Sequence, residues 1–117
     1  DFIPIFTGFD EWGADILMKR TREEYGESSV EGVKQIFKVL SNPMKELEAD
    51  IKAKRINYNN NPVLKWCLGN TVIQMDNKGN IQPKKGYSSL KRIDGTASLL
   101  DAYVTYKNHL DDYMALI

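Results

Sequence analysis

Residues 59 to 85, NNNPVLKWCLGNTVIQMDNKGNIQPKK, hold the clearest structural signals in the chain. The first part predicts a turn that leads into a short helix, because Pro62 stands where a first helical residue would be. The second part predicts a β-hairpin, since two strand-forming runs flank the turn-forming residues from Asn77 to Asn80. A helix followed by a hairpin indicates a mixed α/β fold.

Elements are also predicted on the N-terminal side of this stretch. Residues 3–9 are rich in β-branched and aromatic residues, which favours a central, buried strand. A helix is expected from Glu11 to about Tyr25, where Gly26 stops it, and a second strand within residues 28–37. Trp12 is expected in the core, as is Trp66 of the central stretch.

Two further helices are predicted from their apolar spacing. In residues 41–55, Asn42 is placed to cap a helix whose first residue would be Pro43. From Asp94 to Ile117, apolar residues recur every three or four positions, which predicts one long amphipathic helix whose apolar face holds Leu99, Tyr103, Tyr106, Leu110, Tyr113 and Ile117. The expected architecture is a sheet of mixed strands flanked by these helices.

Composition limits the size and the partners of the protein. With 117 residues, 42% of them hydrophobic, the chain can bury one modest core, and one domain is expected. Sixteen basic and sixteen acidic residues cancel, so net charge alone favours no nucleic-acid or membrane partner. One segment, residues 77–93, is locally basic and contains no acid; its cations are Lys78, Lys84, Lys85, Lys91 and Arg92.

Scarce cysteine and histidine exclude several kinds of site. Cys67 is the only cysteine, so an internal disulfide is impossible and a reducing cytoplasm is expected. His109 is the only histidine, which argues against zinc sites of the Cys/His kind. No apolar run is long enough to span a membrane, and no membrane partner is expected.

Two acids stand at predicted element boundaries. Asp10 follows the first strand, and Asp94 precedes the last helix. Carboxylates gathered at one sheet edge could hold one or two Mg²⁺ or Mn²⁺ ions, which prefer oxygen ligands. On spacing alone, each acid is better explained as a helix cap, and the basic segment as a solvated hairpin.

Three segments in order resemble the nuclease domain of the large terminase subunit of tailed bacteriophages. They are GFDEWGA (8–14), the central stretch (59–85) and KRIDGTASLLDAY (91–103). The second is similar to that family's "gNPvlrWmasNvvvktDpaGNikPdK" segment. Together they cover most of the chain.

The resemblance implies a partial ribonuclease H-like fold and a metal-dependent endonuclease that cuts concatemeric double-stranded DNA during packaging. It makes Asp10 and Asp94 catalytic ligands of Mg²⁺ or Mn²⁺, in a two-metal site of the intact domain. The basic residues Lys84, Lys85, Lys91 and Arg92 are candidate contacts to the DNA backbone.

The resemblance also implies that the chain is the C-terminal part of such a domain, because the family's first metal-binding Asp lies on a strand upstream of the segment that GFDEWGA matches. The phosphate-binding loop GxxxxGK[ST] of the family's preceding ATPase domain is not present either. The ATPase domain and the first nuclease strands would be absent, and the chain alone would be nearly inactive. The implied partners are the small terminase subunit and the portal protein, in the bacterial host cytoplasm. An exposed sheet edge could also support a homodimer of the fragment.

Two other classes of function remain open from the sequence. The chain could be a non-catalytic module that docks on DNA or on another protein. It could also be an inactive prophage remnant.

Overall fold

The computed structural model describes residues 3–86, 88 and 90–117, which form two compact units. Unit 1 is built from residues up to 35 together with residues 101–117, and unit 2 is Ile36–Leu100. The order of elements is β-α-β-α-α-β-β-α-α. This is the α/β class that the sequence predicts.

Unit 1 contains a parallel pair of short strands. Strand β1 is Thr7–Asp10 and strand β2 is Val30–Val33, and Asp10 is paired with Val33 at their carboxyl ends. Helix α1, Asp15–Tyr25, connects them and ends at Gly26, whose φ of 108° suits glycine. Strand β1 is only partly buried, so the prediction of a longer, buried strand is wrong.

The C-terminal helices complete unit 1. Helix α4, Asp94–Asn108, begins in unit 2 and ends in unit 1, and helix α5, Leu110–Met114, follows it. Gly8 of β1 lies directly against α4, because a Cβ atom there would come within 2.8 Å of the Asp101 carbonyl oxygen. The two elements can pack this closely only because Gly8 has no side chain.

Unit 2 contains two helices and an antiparallel hairpin. Helix α2 is Phe37–Lys52, and helix α3 is Pro62–Asn70. Strands β3, Thr71–Met75, and β4, Ile81–Lys85, form the hairpin. The predicted helix start at Pro62 and the predicted hairpin are both confirmed, and the Asn61 side chain caps α3 by accepting from the Val63 and Leu64 N–H groups.

Helix α2 begins five residues before the predicted N-cap. Its first residue is Phe37, so Asn42 is not the cap and Pro43 lies inside the helix. An interior proline removes one backbone hydrogen bond and costs about 3 kcal/mol. Burial of the Leu40 and Leu47 side chains, each worth about 1.5–3 kcal/mol, offsets this cost.

Other side-chain predictions also need correction. Trp12 is 91% exposed and Trp66 is 47% exposed, so neither is a core residue. Helix α1 starts at Asp15 instead of Glu11, because a turn at Trp12 and Gly13 (φ 72°) precedes it. The expected long C-terminal helix is broken at His109 into α4 and α5.

No helix in the described part of the chain is long and apolar enough to cross a membrane.

Candidate functional site

Asp94 is the first residue of helix α4 and is exposed. The carbonyl oxygen of Ile93, one residue earlier, accepts the first helical hydrogen bond, from the Ala97 N–H at 2.9 Å, so Ile93 occupies the N-cap position. Within the described residues, no hydrogen bond or ion pair engages the Asp94 carboxylate. Asp94 is therefore not the cap of this helix, and its carboxylate is available to a ligand.

Contacts within unit 2 hold Asp94 beside the open end of the hairpin. A Cβ atom at Gly95 would lie 3.1 Å from the Cys67 sulfur, so the first turn of α4 packs on α3. The Thr71 hydroxyl, at the start of β3, is 2.9 Å from the Thr96 hydroxyl. These contacts fix the backbone of the two residues that directly follow Asp94.

The backbone positions of the four predicted DNA contacts lie at the same end of the hairpin. Lys85 pairs with Thr71 in the strand register, and Lys84 precedes it. The side chain of Asn70 donates to the carbonyl oxygen of Arg92 at 2.9 Å, which ties the segment before α4 to the start of β3. We call Lys84, Lys85, Lys91 and Arg92 the open-end cations; all four are exposed.

Asp10 ends strand β1 in unit 1 and is exposed. One of its carboxylate oxygens, Oδ1, accepts from the Trp12 backbone N–H at 3.1 Å. The helix after it begins only at Asp15 with Ala14 at the N-cap position, so Asp10 does not cap it. The cap explanation that spacing favoured is thus wrong for Asp10, as it is for Asp94.

Asp101 is a second acid close to Asp10, and sequence reasoning missed it. Its side chain accepts from Gln35 Nε2 at 2.8 Å, and the same Gln35 nitrogen donates to the Val33 carbonyl oxygen at 3.0 Å. Asp101 is only 7% exposed. Burial raises the pKa of its carboxyl; the hydrogen bond from Gln35 opposes this rise, and the negative charge of Asp10 adds to it.

A sequence signal for Asp101 does exist. Thr96, Leu100, Tyr103 and Val104 lie on the buried side of α4, at helical spacing. Asp101 lies one residue after Leu100 and three before Val104, so it is an acid within the buried side of the helix. The prediction missed it because it placed that face around Leu99 and Tyr106, and Tyr106 is exposed.

The donor chemistry of the predicted ligands fits Mg²⁺ or Mn²⁺, but the number of ligands is incomplete. Carboxylate oxygens are what these ions prefer, and Asp10 and Asp94 both offer them. Within the described residues, however, no group of three or more His, Cys, Asp or Glu side chains is placed to hold a metal. Asp10 belongs to unit 1 and Asp94 to unit 2, and their convergence on one ion stays a prediction.

Comparisons with known proteins support the resemblance seen in the sequence. Residues 6–109 match the family described as terminase large subunit, endonuclease domain. Protein YmfN of Escherichia coli (strain K12) is 39% identical over 70 residues, which are 58% of this chain and 15% of YmfN. The crystal structure of the HK97 bacteriophage large terminase matches with a TM-score of 0.69 and 26% identity, over 83% of this chain and 20% of that chain.

The structural match confirms the expected ribonuclease H-like α/β fold. The chain spans only a small part of the length of YmfN and of the HK97 protein.

Proposed function

Because the chain belongs to the family of terminase large subunit endonuclease domains, we propose that it is part of a divalent-metal-dependent endodeoxyribonuclease. In this proposal, the enzyme cuts concatemeric phage DNA during packaging. The chain supplies the carboxylates and the basic surface of the site, and the complete nuclease domain supplies the rest.

One observation in unit 2 carries this proposal. Asp94, whose carboxylate has no hydrogen bond or ion pair to any described residue, lies at the same end of the hairpin as the four open-end cations. Cations bind the phosphates of a DNA backbone, while an acid in that position repels them unless it holds a metal ion. The combination suits a site that both holds DNA and acts on its phosphodiester bonds.

We assign Asp10 and Asp94 as the residues of this chain that hold Mg²⁺ or Mn²⁺. When bound, such ions activate a water molecule and stabilise the charge that develops on the phosphate. Asp94 presents its carboxylate from the first turn of α4, whose backbone is fixed by contacts at Gly95 and Thr96. Asp10 has its Oδ1 directed to the Trp12 N–H, which restrains the side chain at the end of β1.

The proposed partners are those of a packaging enzyme. They are double-stranded DNA, the small terminase subunit and the portal protein, and the place of action is the bacterial host cytoplasm. The chain alone is expected to cut DNA little or not at all. Within the described residues β1 pairs only with β2, so its other edge could pair with a second copy and give a homodimer.

A non-catalytic docking module, for DNA or for a protein, is the second candidate. The observation that favours it is the lack of a three-ligand metal cluster among the described residues. An inactive prophage remnant would have the same structure, but the rest of the nuclease domain that cleavage requires would be missing.

Cleavage of a supercoiled plasmid by the complete nuclease domain separates these candidates. We expect nicked and linear products with Mn²⁺ or Mg²⁺, and none with a chelator. DNA binding without any cleavage under all metal conditions would favour a DNA-docking module. Neither binding nor cleavage would leave the protein-docking module and the remnant.

A further inference from the structure

The neutral net charge of the chain conceals two oppositely charged units. The sequence ranges of unit 2 contain eleven Lys and Arg residues against five Asp and Glu, a net charge of +6. Those of unit 1 contain five Lys and Arg against eleven Asp and Glu, a net charge of −6. A polyanion should therefore be attracted to unit 2 and repelled by unit 1.

The cations of unit 2 are not confined to the open end of the hairpin. Lys38 of helix α2 and Lys78 of the hairpin turn line one recess of about 670 Å³. The Lys45 ammonium group lies 3.4 Å from the Gly79 carbonyl oxygen in the same turn. We call Lys38, Lys45 and Lys78 the turn-side cations; all three are exposed.

The acid close to these cations, Asp76, is hydrogen-bonded within the hairpin turn. Asp76 accepts from the Asn80 side chain and from the backbone N–H groups of Asn80 and Lys78, at 2.9 to 3.0 Å. These hydrogen bonds, the one from the Asn80 side chain above all, hold the pKa of Asp76 below its ordinary value. Among the described residues that line the recess, Asp76 is the one acid, and the exposed Lys38 and Lys78 leave a positive surface at the turn.

We propose that the turn-side cations form a second contact surface for the backbone of double-stranded DNA. This inference rests on the proposed function and extends it to residues at the opposite end of the hairpin. It names Lys38, Lys45 and Lys78 as phosphate contacts in addition to the open-end cations.

The spacing of the two basic surfaces favours a long polyanion over a small phosphate compound. Strand β4, which separates them, rises by about 13 Å from Ile81 to Lys85. Over that length a DNA duplex presents about eight phosphates, at one per about 1.7 Å of axis. A duplex can reach both surfaces at once, whereas a single phosphate group can reach only one.

The salt dependence of DNA binding by the 117-residue chain tests this proposal. The probe is a fluorescent duplex of about 30 base pairs, titrated from about 50 to about 200 mM salt. The test variant is Lys38→Gln, Lys45→Gln, Lys78→Gln. The matched control is Lys19→Gln, Arg20→Gln, Lys34→Gln, which removes the same charge from exposed positions in unit 1.

The slope of log K against log salt is negative, and loss of three phosphate contacts should make it less steep by about 2.7. The factor by which affinity falls between the lowest and the highest salt should then be about 40-fold smaller than for the wild type. The control variant should show no such change. The single variant Lys78→Gln should make the slope less steep by about 0.9, which provides a test if the triple variant does not fold. Circular dichroism checks the fold of each variant.

Three results would overturn the proposal. If a variant without the open-end cations loses slope and the turn-side variant does not, the turn surface is not a DNA contact, although the proposed function stands. If neither variant changes the slope, the proposed DNA contacts fail as well. If the turn-side variant instead abolishes self-association without DNA, the partner of this surface is unit 1 of a second copy.

Discussion

The side-chain amide of Gln35 donates a 2.8 Å hydrogen bond to the buried carboxylate of Asp101, 66 residues further along the chain. The same amide nitrogen reaches the Val33 carbonyl oxygen at the end of β2. One glutamine thus links the strand pair to helix α4 near Asp10. The link depends on an acid whose charge is costly to bury.

Asp101→Asn should stabilise the chain near neutral pH. The folded-state pKa of Asp101 is raised, so the folded chain binds this proton more tightly than the unfolded chain does. Its contribution to stability is therefore lost as the pH rises from the ordinary pKa of aspartate through the folded-state pKa. Asparagine has no proton to lose and can still accept a hydrogen bond from Gln35. The unfolding temperature of the Asp101→Asn variant should therefore exceed that of the wild type near pH 7.

Thermal unfolding across pH checks this prediction, and the advantage of Asp101→Asn should shrink as the pH falls. Asp111→Asn, at an exposed position of unit 1, is the control and should change stability by less than about 0.5 kcal/mol. An Asp101→Asn chain less stable than the wild type near neutral pH would show that the buried charge is favourable.

Gly8→Ala should destabilise unit 1. The new Cβ atom would come within 2.8 Å of the Asp101 carbonyl oxygen and would overlap the Thr105 hydroxyl. Overpacking of this kind costs about 1–3 kcal/mol, which denaturant unfolding can measure.

Gly69→Ala is the control for that substitution. A Cβ atom at Gly69 meets nothing within 4 Å, and alanine should stabilise helix α3 by about 0.5–1 kcal/mol. Adding Thr105→Ala to Gly8→Ala should recover part of the loss, because it removes one of the two clashing groups. Full stability of Gly8→Ala alone would mean that β1 and α4 are not in direct contact.

Local signals made the hairpin and helix α3 predictable. The turn residues from Asn77 to Asn80 and the Asn61 cap with Pro62 act over only a few positions, and the structure retains both. The start of α2 was not predictable in this way. Ile36, Phe37 and Val39 are residue types that favour a strand, but burial of Leu40 in unit 2 favours the helix.

The candidate site was predictable only in part. The sequence placed Asp10 and Asp94 at element ends, which is where they lie. Helical spacing could place Asp101 on the buried side of α4, but it could not show that Asp101 lies close to Asp10, because that depends on the packing of α4 against Gly8 and on the distant Gln35. The separation of charge between the units also required knowing which residues belong to each.

Asp94→Asn in the complete nuclease domain should abolish DNA cleavage and leave the fold intact. Asparagine keeps the shape of the side chain but cannot neutralise a divalent ion. Asp15→Asn is the matched control, since Asp15 is also the first residue of a helix, and it should retain cleavage. Full Mn²⁺-dependent cutting by Asp94→Asn would remove Asp94 from the mechanism.

Replacing the four open-end cations by glutamine should weaken DNA binding and reduce its salt dependence. Four lost phosphate contacts should make the negative slope of log K against log salt less steep by about 3.6. Fluorescence anisotropy with the complete nuclease domain measures both quantities. Unchanged affinity and slope would show that these residues do not contact the backbone.

Asp10 and Asp94 are predicted to hold the same metal ion or ion pair. Anomalous scattering from crystals of the complete nuclease domain soaked in Mn²⁺ tests it most directly. We predict one or two ions with a carboxylate oxygen of each aspartate at about 2.1 Å from a shared site, the distance usual for small octahedral cations. Ions bound without either residue, or carboxylates that face separate regions of solvent, would contradict the account.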